Sequence, residues 1–409
     1  KMKKFIIFVA AFAMVGAFVA TAVADVSLYG SARFRTYYVS SDPGPATETD
    51  SDLEWRLGTL SRFGAKFKSD KITGMVEIDA RAAQGVTNPN NFLTSFGSQS
   101  VEAGTGASSI GNVRLRHLWG QYDFGSWKFM IGQNYPLYDA PISSINYYAG
   151  GFQPYGGIGY GVARTSQVRF TMGNFRLALL PTDTSSAQGL ISYNTTDPVT
   201  GLPVYPPVPD PENTLQDSDV KLPKIELRYD FKFDQGALNL IGGFQTFDVK
   251  GFNDNIAYDE SVTSWVLGAR GKWNFGPAYV GASLTYRVNG ANYGAWSAIS
   301  GTETPTFTET GSLEDATAWG GVAVLGWKLN DSNTLEASYG YLTAEQDTPL
   351  DNEDDTSAIG LMWKYTVAPG FYIIPEFIFQ DNKDKTVNGV TSEQGDNTIF
   401  GVFWRIDFK

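Results

Sequence analysis

Lys224-Ile225-Glu226-Leu227-Arg228-Tyr229-Asp230-Phe231-Lys232-Phe233 is the stretch that decides the fold. Ile225, Leu227, Tyr229, Phe231 and Phe233 alternate with Lys224, Glu226, Arg228, Asp230 and Lys232. A period of two puts every apolar side chain on one face of a strand and every charge on the other. The same alternation recurs at 26–39, 53–67, 72–83, 127–133, 175–180, 265–275, 319–329, 359–367 and 398–408, and near 112–124, 162–172, 237–247, 278–288, 333–343 and 371–380. This makes sixteen segments, most of them close to the ~9–11 residues with which a tilted strand crosses a hydrocarbon layer.

The connections alternate in length. Short turns sit at Ser69-Asp70-Lys71, Gly125-Ser126, Gly173-Asn174, Asp234-Gln235-Gly236, Gly276-Pro277, Asn330-Asp331-Ser332 and Ala368-Pro369-Gly370. Long loops cover 40–52, 84–111, 134–161, 181–220, 248–262, 289–316, 344–356 and 381–396. Seven turns and eight loops in strict alternation describe an antiparallel barrel with both chain ends on the turn side. Aromatics gather near the ends of the apolar faces, among them Trp55, Phe67, Phe124, Trp127, Phe231, Phe233, Trp273, Phe275, Trp327, Phe371 and Phe408. Such belts mark the two margins of a membrane. A soluble sandwich accounts for one such strand, not for sixteen with one loop rhythm. The predicted fold class is all-β, a sixteen-stranded antiparallel transmembrane β-barrel.

Composition excludes several functions. The chain of 409 residues carries a formal charge of −12, no Cys and one His. No disulfide framework, thiolate site or multi-His metal centre is available. The acidic balance argues against nucleic acid. No cofactor and no metal is expected. Residues 1–24 read as a secretory signal peptide: Lys1, Lys3 and Lys4, an apolar run from Phe5 to Ala20, then Ala22-Val23-Ala24 as a cleavage site. Residues 25–409 would then form the barrel, more acidic than the precursor by three lysines. Pro203, Pro206, Pro207, Pro209 and Pro211 make 181–220 a stiff rim segment. Acids cluster at Glu48, Asp50, Asp52 and Glu54 and again at Asp351, Glu353, Asp354 and Asp355, without an EF-hand pattern. They read as a solvated rim or one bridged through divalent cations to lipid phosphates.

Several motifs in order resemble the general porins of Gram-negative outer membranes. Val26-Ser27-Leu28-Tyr29-Gly30 resembles their opening strand and Ser61-Arg62-Phe63-Gly64 a second-strand motif. Ile131 to Asp139 is similar to the segment that leads into their constriction loop, and Arg164 to Phe170 to the strand that follows it. Trp404, Ile406 and Phe408 resemble the terminal aromatic strand. The resemblance implies a homotrimer in the cell outer membrane, in contact with its lipids and lipopolysaccharide. It also implies a third long loop that folds into the lumen and narrows it. Two departures stand out: Gln133 occupies a position where the family commonly has Arg, and Lys409 follows the terminal Phe408.

A pore discriminates by width, polar lining and fixed charge. The period assigns Arg33, Arg35, Arg56, Arg62, Lys66, Glu77, Asp79, Arg81, Arg114 and Arg116 to the lumen. A slip of one residue would turn such charges to lipid, at roughly 2–4 kcal/mol each for Arg or Lys near the midplane. The phase switches at 116–119 and 164–168, as a bulge requires. The side of Arg164 is therefore open on periodicity, and the resemblance puts it in the lumen. His117 reads as a rim or girdle residue. Gln133, Tyr138, Asp139 and Arg164 complete the expected constriction, with Asp139 the one charge on its loop.

The expected function is a water-filled channel for passive diffusion of small hydrophilic solutes and ions, weakly anion-selective. The competing readings are a substrate-selective porin, a plugged structural or adhesive barrel, and an outer-membrane hydrolase. The last has only His117 as an acid–base partner and no Gly-x-Ser-x-Gly elbow.

Overall fold

The computed structural model describes residues 25–42, 44, 49–57, 61–81, 112–147, 151–159, 164–184, 217–253, 256–307, 312–347, 352–387 and 389–409. The signal segment, the loop 84–111, the proline run, Glu48 and Asp351 lie outside them.

Sixteen strands follow one another around a closed ring. They are β1 (Asp25–Asp42), β2 (Asp50–Leu57, resuming at Ser61–Lys68), β3 (Ile72–Arg81), β4 (Asn112–Asp123), β5 (Lys128–Asn134) and β6 (Thr165–Met172). Then come β7 (Phe175–Leu180), β8 (Asp217–Asp219, resuming at Lys224–Phe233), β9 (Gly236–Asn253), β10 (Ile256–Phe275) and β11 (Ala278–Val288). The last are β12 (Ala316–Lys328), β13 (Asn333–Gln346), β14 (Asn352–Ala368), β15 (Phe371–Val387) and β16 (Val390–Ser392, resuming at Asp396–Phe408). Every neighbouring pair is antiparallel, and β16 closes on β1 from Phe408 opposite Gly30 to Asp396 opposite Asp42. Closure leaves no sheet edge, which hydrocarbon requires because it offers no water to unpaired backbone groups. Glycines with positive φ at 125, 173, 276 and 370 make the tight turns.

The burial pattern is inverted relative to a soluble protein. Leu284 is 64% and Trp319 56% exposed on the outer wall, whereas Arg116, Glu226, Arg287 and Glu303 are fully buried inside. An outer wall of Leu, Ile, Phe and Trp is stable only against lipid. Near the turn side Phe124 stacks on Trp127 at 4.1 Å, and Trp127 on Phe170 at 6.0 Å, as part of an interfacial belt.

The strands on the loop side run longer than the alternation predicts. β9 and β10 pair as far as Asn253 opposite Ile256, and β14 begins at Asn352. Beyond the membrane the outer face becomes polar, with Asp248, Lys250 and Asp259, while Phe247, Val249 and Val262 are buried on the inner face, so the apolar side of the alternation switches while the hydrogen-bond ladder continues. The phase switch at 116 is a bulge: Ile78 pairs with Leu115 and Glu77 with His117, leaving Arg116 between them.

Candidate functional site

Residues 135–147 and 151–159, between β5 and β6, fold into the lumen and lie along the inner wall from β8 to β15. Three carboxylates from the wall hold their outgoing leg. Glu226 of β8 accepts the N–H of Leu137 at 2.5 Å and of Tyr138 at 3.2 Å. Glu336 of β13 accepts the N–H of Ser144 at 2.5 Å and the hydroxyl of Tyr279. Glu376 of β15 accepts the N–H groups of Asn146 and Tyr147 at 2.7 and 3.0 Å, and the Tyr37 hydroxyl at 2.6 Å. Charge-assisted bonds of this kind each contribute about 1.5–3 kcal/mol. The tip reaches β1, where Arg35 donates to the Tyr147 carbonyl at 2.6 Å.

Apolar packing completes the anchorage. Ile142, Ile145, Phe152 and Tyr155 bury themselves against Val322, Val324, Ala358, Met362, Ile374 and Ile378 of the wall. Glycines on successive strands make the room. A Cβ at Gly340 would stand 2.6 Å from the Tyr155 carbonyl, and one at Gly320 2.8 Å from the Cα of Gly156. Gly156 itself has φ +87° and ends the 3-10 turn Gln153–Tyr155. This inner lane of small and apolar positions belongs to the loop, not to water.

Facing the loop from β1 to β6 stands a basic wall. Arg33 and Arg35 are buried on the lumen face of β1. Arg116 donates to Glu77 at 2.5 Å, to Asp79 at 3.1 Å and to the Tyr135 hydroxyl at 3.1 Å. Arg62 lies 3.6 Å from Glu77, and Arg164 donates to the Tyr135 hydroxyl at 2.5 Å with its guanidinium over that ring. Arg56 pairs with Arg35, Arg114 with Asp79 and Arg81 with Asn112 in the ladders, but their side chains lie outside the described part of the structure.

A narrowed lumen between an inserted loop and a basic wall is the geometry of a diffusion channel. A model of the Gram-negative porin family matches residues 9–385. The chain belongs to that family. Its fold is shared with the outer-membrane channel DcaP of Acinetobacter baumannii, at 16% identity and a TM-score of 0.63, over 94% of this chain and 97% of that one. It is also similar to the trimer form of OmpT of Vibrio cholerae, at 14% identity and 0.54, over 94% and 99%. A third similar structure is an anion-selective porin from Comamonas acidovorans, at 13% and 0.51, over 94% and 100%. No curated protein matches the sequence.

Three residues of the porin stand elsewhere than the sequence places them. Gln133 pairs with Leu118, which is 54% exposed on the outer wall, and its amide donates to the carbonyls of Leu115 and Arg116. It seals the bulge instead of lining the pore. Tyr138 is fully buried between loop and wall, bonded to Thr285 at 2.6 Å and packed edge-on to Tyr293, so it anchors the loop and meets no solute. His117 is not at the rim. The bulge turns it inward, 3.9 Å from Glu77 and against the Tyr135 ring. Asp139 is half-buried and accepts from Gln153 at 2.7 Å; burial pushes its carboxyl up to about 6.

The porin has a second inserted segment that the sequence did not reveal. Residues 289–307, after β11, turn into the lumen through a helical turn at Gly290–Tyr293. Trp296 and Ala298 donate to the carbonyls of Gly159 and Pro154 in the constriction loop. The Tyr293 hydroxyl donates to Glu226 at 3.0 Å, and Lys224 to the Tyr293 carbonyl. Arg287 clamps Glu303 through both carboxylate oxygens and donates to the Gly157 carbonyl at 2.9 Å. The signal was present, three glycines among Tyr293, Trp296 and Glu303, but its partners are remote in sequence. At the loop end of the barrel, on the outer face beyond the apolar band, Asp42, Asp355, Asp381, Lys383, Glu393 and Asp396 line a cavity of about 770 Å³.

Proposed function

We propose that this porin is a passive, water-filled channel of the cell outer membrane for small hydrophilic solutes and ions, with weak anion preference and no catalytic role. The observation that carries the reading is the constriction loop held to β8–β15 opposite Arg33, Arg35, Arg62, Arg116 and Arg164. The carboxylates on that side are Glu54, which accepts the Tyr147 hydroxyl at 3.3 Å, and Glu77 and Asp79, both engaged by Arg116, and the loop adds Asp139. Acid carried by the loops is exposed to bulk water and screened over about 8 Å at physiological salt, so charge in the narrow zone dominates.

Arg33, Arg35, Arg56, Arg62, Glu77, Asp79, Arg81, Arg114, Arg116, Asp139 and Arg164 are the proposed selectivity set. The solved relatives described as a trimer form and as anion-selective agree with a homotrimer and with the sign of the preference. Residues 1–24 are read as the export signal, and outer-membrane lipid and lipopolysaccharide as the surroundings of the apolar wall. The test is the reversal potential in a potassium chloride gradient. Wild type should favour chloride, and Arg33→Ser/Arg35→Ser/Arg62→Ser should move toward potassium. A cation-preferring wild type unmoved by the triple replacement overturns the assignment.

The inserted segment 289–307 favours one second reading, a narrower substrate-selective porin. Saturating flux for one solute class would support it.

A further inference from the structure

Below the constriction, on the turn side, β7, β8 and β10 carry a second row of cations. Arg176 and Arg228 stand directly opposite one another across β7 and β8. Asn239 of β9 stands opposite both Asp230 and Arg270, and Lys272 follows Arg270 on the same face. Arg169 of β6 links the row to the loop by donating to the Tyr135 carbonyl. Arg228 lies close enough to Arg169, Arg176 and Arg270 to repel each of them electrostatically.

The acid nearby does not balance this charge. Asp230 is shared among Arg176 at 2.6 Å, Arg228 at 2.7 Å and Asn239 at 2.7 Å. Glu226 and Glu336 flank the row, but their oxygens are taken by N–H and O–H groups that hold the loops. Two polar atoms in the row have no protein partner: Arg270 Nε, and the hydroxyl of Ser283, which is 2% exposed and directly across the ladder from Arg270. Buried donors left unpaired cost about 1–3 kcal/mol each. Water satisfies the hydroxyl but leaves the excess positive charge. An oxyanion satisfies both, because guanidinium donors match its oxygens in pairs.

We propose that Arg228, Arg270 and Ser283, with Arg176 and Lys272 beside them, form a binding site for a small polyvalent oxyanion of the phosphate type. The site rests on the channel reading only for its access from the lumen. It makes the turn-side exit a place where such anions dwell, in contrast to monovalent chloride, which offers no paired oxygens.

The test is calorimetric titration of the folded, detergent-solubilised barrel at low salt with inorganic phosphate, against chloride at matched ionic strength. Wild type should bind phosphate saturably and chloride not. Arg228→Gln/Arg270→Gln should weaken binding at least tenfold, and Ser283→Ala about threefold. Lys66→Gln/Lys364→Gln removes equal charge from other strands on the turn side and should change it less than twofold. If the arginine pair fails to fold, shown by loss of heat-modifiable migration, Ser283→Ala and Lys272→Gln carry the comparison. Absent phosphate binding in wild type, or equal loss in the two double variants, overturns the site. Absent conductance of the same preparation in a planar bilayer overturns the channel reading instead, and leaves the binding result standing.

Discussion

Glu376 accepts the backbone N–H of Asn146 at 2.7 Å, tying the tip of the constriction loop to a strand 230 positions later in the chain. The same carboxylate takes the Tyr147 N–H and the Tyr37 hydroxyl, so one side chain fixes the loop to β15 and to β1 together. Glu376→Leu takes the acceptor from four donors, the Asn146 side-chain amide being the fourth, and should free the tip. Single-channel records should then show added noise and a larger mean conductance. Glu376→Gln keeps one carbonyl acceptor and should fall between. Records of Glu376→Leu as quiet as wild type would show that apolar packing alone holds the tip.

Gly340 supplies a test of that packing. A Cβ there meets the Tyr155 carbonyl at 2.6 Å, whereas one at Gly120 meets nothing within 4 Å. Gly340→Val should displace the loop at a cost of about 1–3 kcal/mol, read as a lower temperature of heat-modifiable migration and an altered conductance. Gly120→Val should leave both unchanged.

Arg116 is fully buried and bonded to both Glu77 and Asp79. Arg116→Met removes the guanidinium bonded to both buried carboxylates, Glu77 keeping Arg62 at 3.6 Å and the Tyr29 hydroxyl, at a cost of up to about 3–5 kcal/mol. Adding Glu77→Gln and Asp79→Asn should restore most of it. Unfolding in urea from mild detergent measures both. A triple variant as unstable as the single one would place the loss in side-chain packing rather than charge.

Asp139 gives the pore a pH response. Burial, assisted by Glu226, raises its carboxyl to about 6, against the Gln153 bond and the fields of Arg164 and Arg228. The folded protein therefore holds this proton more tightly than the unfolded chain. Its contribution to stability is full below the ordinary carboxylate range and is lost as pH rises through about 6. Lowering the pH from 7 to 5 also neutralises the loop's charge, so anion preference should rise with a midpoint near 6. Asp139→Asn should abolish that step in the reversal potential.

The barrel was legible because its constraint is local. Leu227 faces lipid and Arg228 faces water on the same strand, and the period of two records this directly. The bulge at Arg116 was legible too, as a change of phase. The inward fold of 289–307 was not. Tyr293 is held by Glu226 and Lys224, side chains that in sequence read only as the polar face of β8. Gln133 was misplaced by the resemblance, since the alternation already sets it on the face of Ile131, 53% exposed on the outer wall, and Tyr138 was misplaced because the alternation stops where the chain leaves the wall. From there, position is set by contacts with β8 and β11 that no local pattern encodes. Val322 and Val324 point inward for the same reason, toward a loop nearly two hundred residues earlier.

Liposome swelling tests the central claim most directly. Vesicles carrying the purified barrel, placed in isotonic solutions of neutral sugars and amino acids of increasing size, should swell at rates that fall smoothly with solute size and rise linearly with solute concentration. No swelling above protein-free vesicles, with the barrel folded and inserted, would contradict an open diffusion channel and leave a plugged barrel in its place.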